Sequence, residues 1–413
     1  MQTHLADFIR DTPEGQTAER ILRSCVHCGF CLATCPTYQL LGDELDSPRG
    51  RIYLIKQMLE GAPVTAKTQL HLDRCLTCRA CETTCPSGVE YGKLVDIGRA
   101  VVEQKVGRGV ADRVQRKALR TLLPKPALFA SLFKLGQLFR PWLPAALKAQ
   151  VPLSGVAGAW PAPRHARQML VLQGCVQPSL EPDINAASAR VLDRLGISLI
   201  VAPQAGCCGA LAYHLNAQDE ALMAMRRNID AWAPYLEQGV EAIVMTASGC
   251  GVTVREYGHY LRHDPAYADA AARVSAVTHD LSEILNAEQA ALKQLMPSAS
   301  PHLAKTKVAV HTPCTLQHGQ KINGLLETIL TVAGFEVVDA PERHVCCGSA
   351  GTYSILQPEL SQRLMKNKVA ALESNRPECI VTANIGCLLQ LRGGTQKPVS
   401  HWIALIEGAL KRA

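Results

Sequence analysis

Two copies of one cysteine spacing, 50 residues apart, constrain the fold of this chain more than any other feature. The first, CVHCGFCLATCP, runs from Cys25 to Pro36, and the second, CLTCRACETTCP, runs from Cys75 to Pro86. Each has cysteines at relative positions 1, 4, 7 and 11, followed by proline. Spacers this short let successive thiolates converge on the corners of one iron–sulfur cube. The pattern therefore predicts two [4Fe–4S] clusters.

The fourth cysteine of such a unit ligates the cluster of the other unit in two-cluster proteins. This exchange predicts two ligand sets: Cys25, Cys28, Cys31 and Cys85 for cluster 1, and Cys75, Cys78, Cys81 and Cys35 for cluster 2. The proline after the fourth cysteine helps to turn that cysteine toward the cluster of the other unit. Two zinc knuckles are the alternative, but zinc sites rarely use this spacing. Because thiolates fill every corner, paired cubes conduct electrons and leave no open iron, so we expect no catalytic residue.

Two arginines lie beside the second cysteine unit. Arg74 precedes Cys75, and Arg79 lies between Cys78 and Cys81. A cation close to cluster sulfurs tunes the reduction potential. We nevertheless expect both arginines to be solvated surface charges, which is the commoner role of a single arginine.

The chain contains 17 cysteines. At 413 residues it is too long to be a small secreted domain held together by disulfides. Its first twenty residues carry no apolar signal-peptide region and no twin-arginine signal. We therefore expect a cytoplasmic protein whose clustered cysteines bind metal.

The net charge of +7 is concentrated between Arg113 and Leu180, where ten Lys or Arg and no Asp or Glu occur. Such a segment suits an anionic lipid surface or an acidic partner.

Apolar residues at helical spacing fill the stretches around both cysteine units. Ile52, Ile55, Met58 and Leu59 recur on one helical face, and the segment after the second unit is also helix-like. This predicts a helical two-cluster ferredoxin domain over 1–112. A basic, proline-rich connector is predicted over 113–165. Its apolar run is interrupted by Lys134 and Arg140, which argues against a transmembrane span and favours a packed connector or an amphipathic surface helix.

From residue 166 onward, short apolar runs alternate with helical stretches. QMLVLQG, ISLIVAP and EAIVMTAS read as strands, and KVAVHTP, FEVVDAP and ECIVTAN repeat the pattern. Strands alternating with helices predict an α/β domain with a parallel sheet. We therefore predict an α+β multidomain protein, in which the ferredoxin domain is followed by a duplicated α/β CCG (cysteine-rich) domain. The two CCG repeats are expected over 166–300 and 301–413.

Matching cysteine spacing in the two halves indicates that the CCG domain is an internal duplication. Cys175 and Cys314 each precede an adjacent cysteine pair by 31 intervening residues, and each pair is followed by glycine. Strand-end cysteines close the two repeats. Open α/β sheets bind ligands at the carboxyl ends of their strands. We therefore expect a further metal or redox site, holding an iron–sulfur cluster or zinc, built from Cys175, Cys207, Cys208 and Cys250 in one repeat and Cys314, Cys346, Cys347 and Cys387 in the other.

Three histidines lie near the second of these cysteine sets. His311 and His318 flank Cys314, and His344 lies two residues before Cys346. Each could be a ligand, a proton relay or a packed core residue, and the core role is favoured for any single one. Cys379, outside both sets, is expected to be a small core residue at the start of a strand.

These residues together resemble the family of glycolate oxidase iron–sulfur subunits. The resemblance runs from Ile21 to Trp402 and includes both cysteine units, the two CCG motifs and stretches such as CCGSAGTY and VTANIGC. It implies an iron–sulfur electron-transfer subunit of a flavin-dependent 2-hydroxy-acid complex that oxidises glycolate. FAD would lie in partner subunits, and electrons would pass toward the respiratory chain, with quinone as acceptor. The implied location is the cytoplasm, including peripheral contact with the cytoplasmic face of the inner membrane.

The chain departs from some relatives that share the CCG domain. Subunits of heterodisulfide reductase, anaerobic glycerol-3-phosphate dehydrogenase and lactate-utilisation systems also resemble it, and some end their CCG motifs in C-x2-C. Here Thr253 follows Cys250 at that spacing, and Gln390 follows Cys387. A catalytic subunit acting on disulfides is therefore less favoured, although a place in a related complex stays open. A zinc scaffold without redox function also stays open, whereas a flavoenzyme is disfavoured because no G-x-G-x-x-G opens a helix.

Overall fold

The structure, a computed structural model, describes residues 1–142, 144, 155–296 and 306–411. Its first part is helical, as the sequence predicts. The helices are α1 Asp7–Arg10, α2 Pro13–Ser24, α3 Pro36–Leu41, α4 Pro48–Leu59, α5 Ala66–Asp73, α6 Ala80–Thr83, α7 Tyr91–Val106, α8 Val110–Leu122 and α9 Pro126–Phe139, with 3-10 turns at Glu44–Asp46 and Arg140–Trp142.

Helix starts in this region follow local chemistry. Prolines occupy the first turns of α2, α3, α4 and α9, where a missing N–H is tolerated. Thr12 and Ser47 cap α2 and α4 by accepting hydrogen bonds from backbone N–H groups. The single helix that the sequence suggests after the second cysteine unit is two helices, because Gly107 adopts a positive φ and ends α7.

The remainder contains two four-stranded sheets with the same topology. The strands are β1 Arg167–Val171, β2 Ile197–Ile200, β3 Ile243–Met245 and β4 Thr278–Asp280 in one sheet, and β5 Lys307–His311, β6 Glu336–Val338, β7 Cys379–Thr382 and β8 Val399–His401 in the other. Their orders are β2-β1-β3-β4 and β6-β5-β7-β8, and every pairing is parallel. The duplicated α/β fold and the six predicted strands are confirmed; β4 and β8, three residues each, were not predicted.

Helices cover both faces of the sheets. In the first repeat they are Gln177–Leu180, Asp183–Arg194, Ala210–His214, Gln218–Glu237, Ser248–Arg255, Tyr257–Tyr260, Ala268–Val277, Leu281–Ala287 and Gln289–Leu295. In the second they are Leu325–Val332, Tyr353–Leu356, Pro358–Glu373, Ile385–Arg392 and Trp402–Lys411, with a π-helical turn at Thr315–Gly319. The predicted boundary between the repeats, 300/301, lies outside the described residues.

The two repeats share one hydrophobic core that includes Val171, Leu199, Val310, Ile380 and Trp402. The strand-end loops after β3 and β7 also face each other. The Ser248 N–H donates to the Ala383 carbonyl over 3.1 Å, and the Ser248 and Thr315 hydroxyls lie 2.8 Å apart. The carboxyl ends of both sheets are therefore held against one another.

Candidate metal centres

The first ferredoxin cysteines line one cavity. Cys25, Cys28, Cys31 and Cys85 border it together with the apolar side chains of Pro48, Ile52 and Val89, and Cys81 of the other unit also lies at its edge. No carboxylate lines it. Burial, and after it the neighbouring Cys25, raise the pKa of Cys31 to about 11. Several thiols around one cavity require a cation to become thiolates together, which suits soft metal ions.

The turns between the thiols explain why these residues converge. His27 and Gly29 have positive φ in the first unit, and Thr77 and Arg79, 50 residues later, have positive φ in the second. This left-handed backbone coils the chain tightly between successive cysteines. The two units thus repeat one backbone shape as well as one spacing.

The second set is more deeply buried. Burial first, and then Cys314, Cys35 and Cys75, raise the pKa of Cys78. Burial, Cys78, Cys75 and Cys35 do the same for Cys81. Cys35 therefore lies among the thiols of the second unit, whereas Cys85 lies beside Cys25 of the first. The fourth cysteine of each unit therefore lies near thiols of the opposite unit.

A buried ion pair adjoins the second set. The Arg51 guanidinium lies 3.2 Å from Asp46 Oδ1 and 4.0 Å from the Cys35 sulfur, and it also donates to Thr37. Arg51 and Asp46 are almost completely buried. Tyr91 Oη donates to the Cys75 sulfur over 3.6 Å. No spacing in the sequence indicates this arrangement, because it joins residues from separate helices.

The expectation for the two nearby arginines is wrong. Arg74 pairs with the buried Asp46 at 2.8 Å, and Arg79 pairs with Glu82 and with Glu256 of the first CCG repeat. Both guanidinium groups are largely shielded from solvent, and each links segments distant in sequence. They are structural ion pairs because buried carboxylates demand partners.

The first CCG cysteines follow three neighbouring strands. Cys175 comes after β1, the Cys207–Cys208 pair after β2, and Cys250 after β3. Carboxyl ends of parallel strands share one sheet edge, so the thiols meet there. Cys207 adjoins both Cys175 and Cys208, and Cys250 adjoins Cys208. The Tyr257 hydroxyl donates to the Cys208 carbonyl over 2.8 Å and secures the pair.

The second CCG repeat repeats this arrangement after β5, β6 and β7. The Cys314 and Cys346 sulfurs lie 3.8 Å apart, and Cys347 adjoins Cys387. One ring nitrogen of His311 and the sulfurs of Cys347 and Cys387 lie within 4.8 Å of one another. Burial, and then Lys368, lower the pKa of His311 to about 3, which keeps the imidazole neutral. Cys379 begins β7 as expected, apart from both sets.

The glycine of each CCG motif is required by the backbone. Gly209 and Gly348 have φ of +91° and +87°. A Cβ at Gly348 would lie 2.6 Å from the Ser361 carbonyl oxygen, and one at Gly209 would lie 2.9 Å from that of Ala221. Only glycine satisfies both constraints. The motif therefore permits close approach of a helix to the paired cysteines.

The ferredoxin region contacts the second CCG repeat near the cysteines. Leu76 packs with Cys346 and Tyr353, and Cys78 and Cys314 are packed against the same small cluster. His318, almost fully buried, hydrogen-bonds to Thr83, and its Nε2 donates to the His344 carbonyl over 3.0 Å. His318 is thus a packed junction residue. His344 is partly exposed and contributes its carbonyl here.

An apolar face lies exposed on α9. Phe129 and Phe133 stack on each other and pack against the shared core, whereas Leu132, Leu135, Leu138 and Phe139 are exposed, as is Trp142 in the turn that follows the helix. Several cations of the basic segment are paired within the chain, including Arg116 with Asp112 and Arg164 with Asp193. Among the described residues, no ion pair is seen for Lys125 or Lys134. No helix in the described part of the chain could span a bilayer.

Two family models match the chain in the regions just described. A 4Fe-4S dicluster domain matches residues 21–89, and a cysteine-rich domain matches twice, over 169–255 and 308–392. The first match covers the eight ferredoxin cysteines, and the second covers both CCG repeats.

Individual relatives match over longer stretches. The glycolate oxidase iron–sulfur subunit of Escherichia coli (strain K12) is 55% identical over the full length of both chains. A probable glycolate oxidase iron–sulfur subunit of Bacillus subtilis (strain 168) is 30% identical over 91% of this chain and 89% of that relative. Lactate utilization protein A of the same Bacillus is 27% identical over 53% of this chain and 88% of its own.

Proposed function

The chain belongs to the family of glycolate oxidase iron–sulfur subunits, and on that premise we propose that it carries electrons within a flavin-dependent complex that oxidises a 2-hydroxy acid, with glycolate as the substrate. One observation carries the proposal: the fourth cysteine of each unit lies near thiols of the other unit, Cys85 near Cys25 and Cys35 near Cys78 and Cys81. That pattern is typical of chains that hold two clusters at short range.

The cofactors of the proposal are two [4Fe–4S] clusters. Cluster 1 would be held by Cys25, Cys28, Cys31 and Cys85, and cluster 2 by Cys75, Cys78, Cys81 and Cys35. Clusters of this kind accept and release single electrons. The chain itself supplies the thiolate ligands, an apolar wall around the first set, and the Arg51 cation beside the second. Burial of Cys35, Cys75 and Cys81 in the second set limits water access, which would protect a cluster there and tune its potential.

Substrate oxidation would take place on FAD in partner subunits, and the electrons would then reach this chain. The name of the Escherichia coli relative calls it a subunit, which supports a multi-subunit complex. Quinone is the acceptor that we propose for electrons leaving the complex.

The CCG cysteines would form a further metal or redox site. The sets Cys175, Cys207, Cys208, Cys250 and Cys314, Cys346, Cys347, Cys387 each meet at the carboxyl edge of a parallel sheet, where such folds bind ligands. The second set adjoins Cys78, so it would extend the electron path beyond cluster 2.

Peripheral membrane contact would involve α9. Its exposed apolar side chains, with Lys125 and Lys134 and no acidic residue, suit a surface of anionic lipid. Flotation with vesicles containing phosphatidylglycerol tests this directly. We expect binding that weakens with salt and is lost in a Leu135→Glu, Leu138→Glu double variant, with the exposed Val156→Glu as control. Binding that is indifferent to lipid charge and to the double substitution would contradict it.

The function is tested in the assembled complex with its flavin subunits. Addition of glycolate under anaerobic conditions should reduce the clusters and give their EPR signal in a single turnover. A Cys78→Ser complex should still reduce its flavin but transfer fewer electrons to an added quinone. Flavin oxidation by quinone at an undiminished rate without this chain would contradict the proposal.

A further inference from the structure

The second CCG repeat contains a donor group that the first one does not have. His311, Cys347 and Cys387 are all at most 5% exposed, and their donor atoms lie within 4.8 Å of one another. Two thiolates and an imidazole form a soft, mixed donor set of the kind that zinc and iron prefer. The three residues come from the ends of three adjacent strand–loop units, so the fold fixes their separation.

Each of the three donor residues is held by a hydrogen bond from its surroundings. Nδ1 of His311 lies 2.9 Å from the Thr382 hydroxyl, which leaves Nε2 for a ligand. A metal-ligating histidine characteristically engages its other nitrogen in such a bond. The Asn384 side-chain amide donates to the Cys387 sulfur over 3.4 Å, and the Ser349 backbone N–H donates to Cys347. Hydrogen bonds of this kind stabilise thiolates.

The first repeat lacks the corresponding groups. Cys314 and Cys346 follow Cys175 and Cys207 by the same 139 residues, and at that offset Leu172 occupies the position of His311. Leu172 is buried and packs in the apolar core of its repeat. The cation Lys368, whose charge acts on Cys346 and Cys347, corresponds to the buried Ile229. The two repeats therefore differ at the position of the histidine donor and at the position of the nearby cation.

We infer that the second CCG repeat binds a soft transition-metal ion through His311, Cys347 and Cys387, whereas the first repeat has no imidazole-ligated site. The ion is Zn²⁺ or an iron of a small cluster, and the three donors leave one tetrahedral position for another ligand. The inference deepens the proposed function: it rests on the CCG repeats as metal sites, but not on the two ferredoxin clusters.

The test compares two histidine variants of the full chain purified without oxygen. His311→Gln retains a partner for Thr382 but removes the imidazole. His401→Gln is the matched control, because His401 is also buried at the end of a strand of the same sheet, β8, and bonds to the Thr246 carbonyl instead. We expect His311→Gln, and not His401→Gln, to lose the bound metal, which is about one equivalent if it is zinc and the irons of the small cluster if it is iron, while the EPR of the ferredoxin clusters is unchanged.

X-ray absorption of the unaltered chain serves if His311→Gln does not fold. Imidazole scattering at the zinc edge would identify zinc, and imidazole scattering at the iron edge would identify iron. Sulfur-only shells at both edges, or unchanged metal content in a folded His311→Gln, would overturn the inference. Missing ferredoxin EPR in a chain that retains the imidazole-bound metal would instead count against the proposed function.

Discussion

The hydroxyl of Thr83 lies 2.9 Å from Nδ1 of His318, and this hydrogen bond joins the ferredoxin region to the second CCG repeat. Thr83 lies between Cys81 and Cys85, and His318 follows Cys314 by one helical turn. The bond therefore helps to hold Cys78 beside Cys314. Cys314 of the second CCG repeat is therefore a thiol next to the proposed cluster 2.

Thr83→Val tests that junction. Loss of a partly buried hydrogen bond should lower the free energy of unfolding by about 1 kcal/mol. Amide hydrogen exchange should rise together in Ala80–Thr83 and Thr315–Gly319, because the two helices support each other. Thr328→Val is the control, since the exposed Thr328 hydroxyl bonds only to the Gly324 carbonyl at the start of its own helix. Exchange that rises in one helix alone would show that the bond does not couple the two regions.

Cys85→Ser tests the ligand exchange between the two cysteine units. Because Cys85 lies beside Cys25 rather than with its own unit, its loss should disturb cluster 1 and remove up to about four irons. Iron analysis and EPR of the reduced protein measure the change. Cys379→Ser, outside both CCG sets, should leave the iron content as it was. An EPR change confined to cluster 2 would contradict the assignment.

Arg51→Gln removes the most buried of the cations that pair with Asp46. Breaking a buried pair typically destabilises a protein by about 3–5 kcal/mol, and because Arg74 still pairs with Asp46 we expect a loss below that range. Removing the cation near Cys35 should also lower the reduction potential of cluster 2. Arg49→Gln, which breaks the partly exposed pair with Glu44, should change stability by less than about 1 kcal/mol. Urea unfolding and an EPR-monitored redox titration provide the two readouts; equal effects in both variants would refute the argument.

Gly348→Ala should destabilise the second CCG repeat, by about 1–3 kcal/mol, because of its positive φ and the approach of the Ser361 carbonyl. Gly408→Ala should act in the opposite direction. Gly408 lies in the helix Trp402–Lys411 with space around its Cβ position, so alanine should stabilise by up to about 1 kcal/mol. Thermal unfolding followed by circular dichroism measures both. A stabilising Gly348→Ala would remove the structural explanation of the CCG glycine.

Acid should destabilise the protein through His401. Burial lowers the pKa of His401 to about 4 from an ordinary 6.5. Because the folded-state pKa is the lower one, this stability is complete above pH 6.5 and is lost as the pH falls toward 4. The full change is about 3 kcal/mol. His401→Gln should unfold with a shallower pH dependence between pH 7.5 and 5, measured by circular dichroism; an unchanged slope would contradict the shift.

The sequence was most informative where chemistry is local. Cysteine spacing indicated both ferredoxin units, and alternating apolar runs located six strands, because these patterns depend on residues near one another in the chain. The edge strands β4 and β8 were not predicted, because a strand of three residues, such as Val399–His401, is too short to show an alternating pattern. The Arg51–Asp46 pair and the Thr83–His318 junction depend on how distant helices pack, which no local pattern encodes. The sequence named three candidate histidines but could not single out His311. Its distance from Cys387 depends on how the strands pair, which a local pattern does not show.

The iron and acid-labile sulfide content of the chain, purified anaerobically and examined by EPR after dithionite reduction, tests the central claim most directly. The account predicts at least about eight irons and eight sulfides per chain, with the coupled signals of two nearby reduced cubes. A colourless chain that contains zinc alone, even after an attempt at cluster reconstitution, would contradict it.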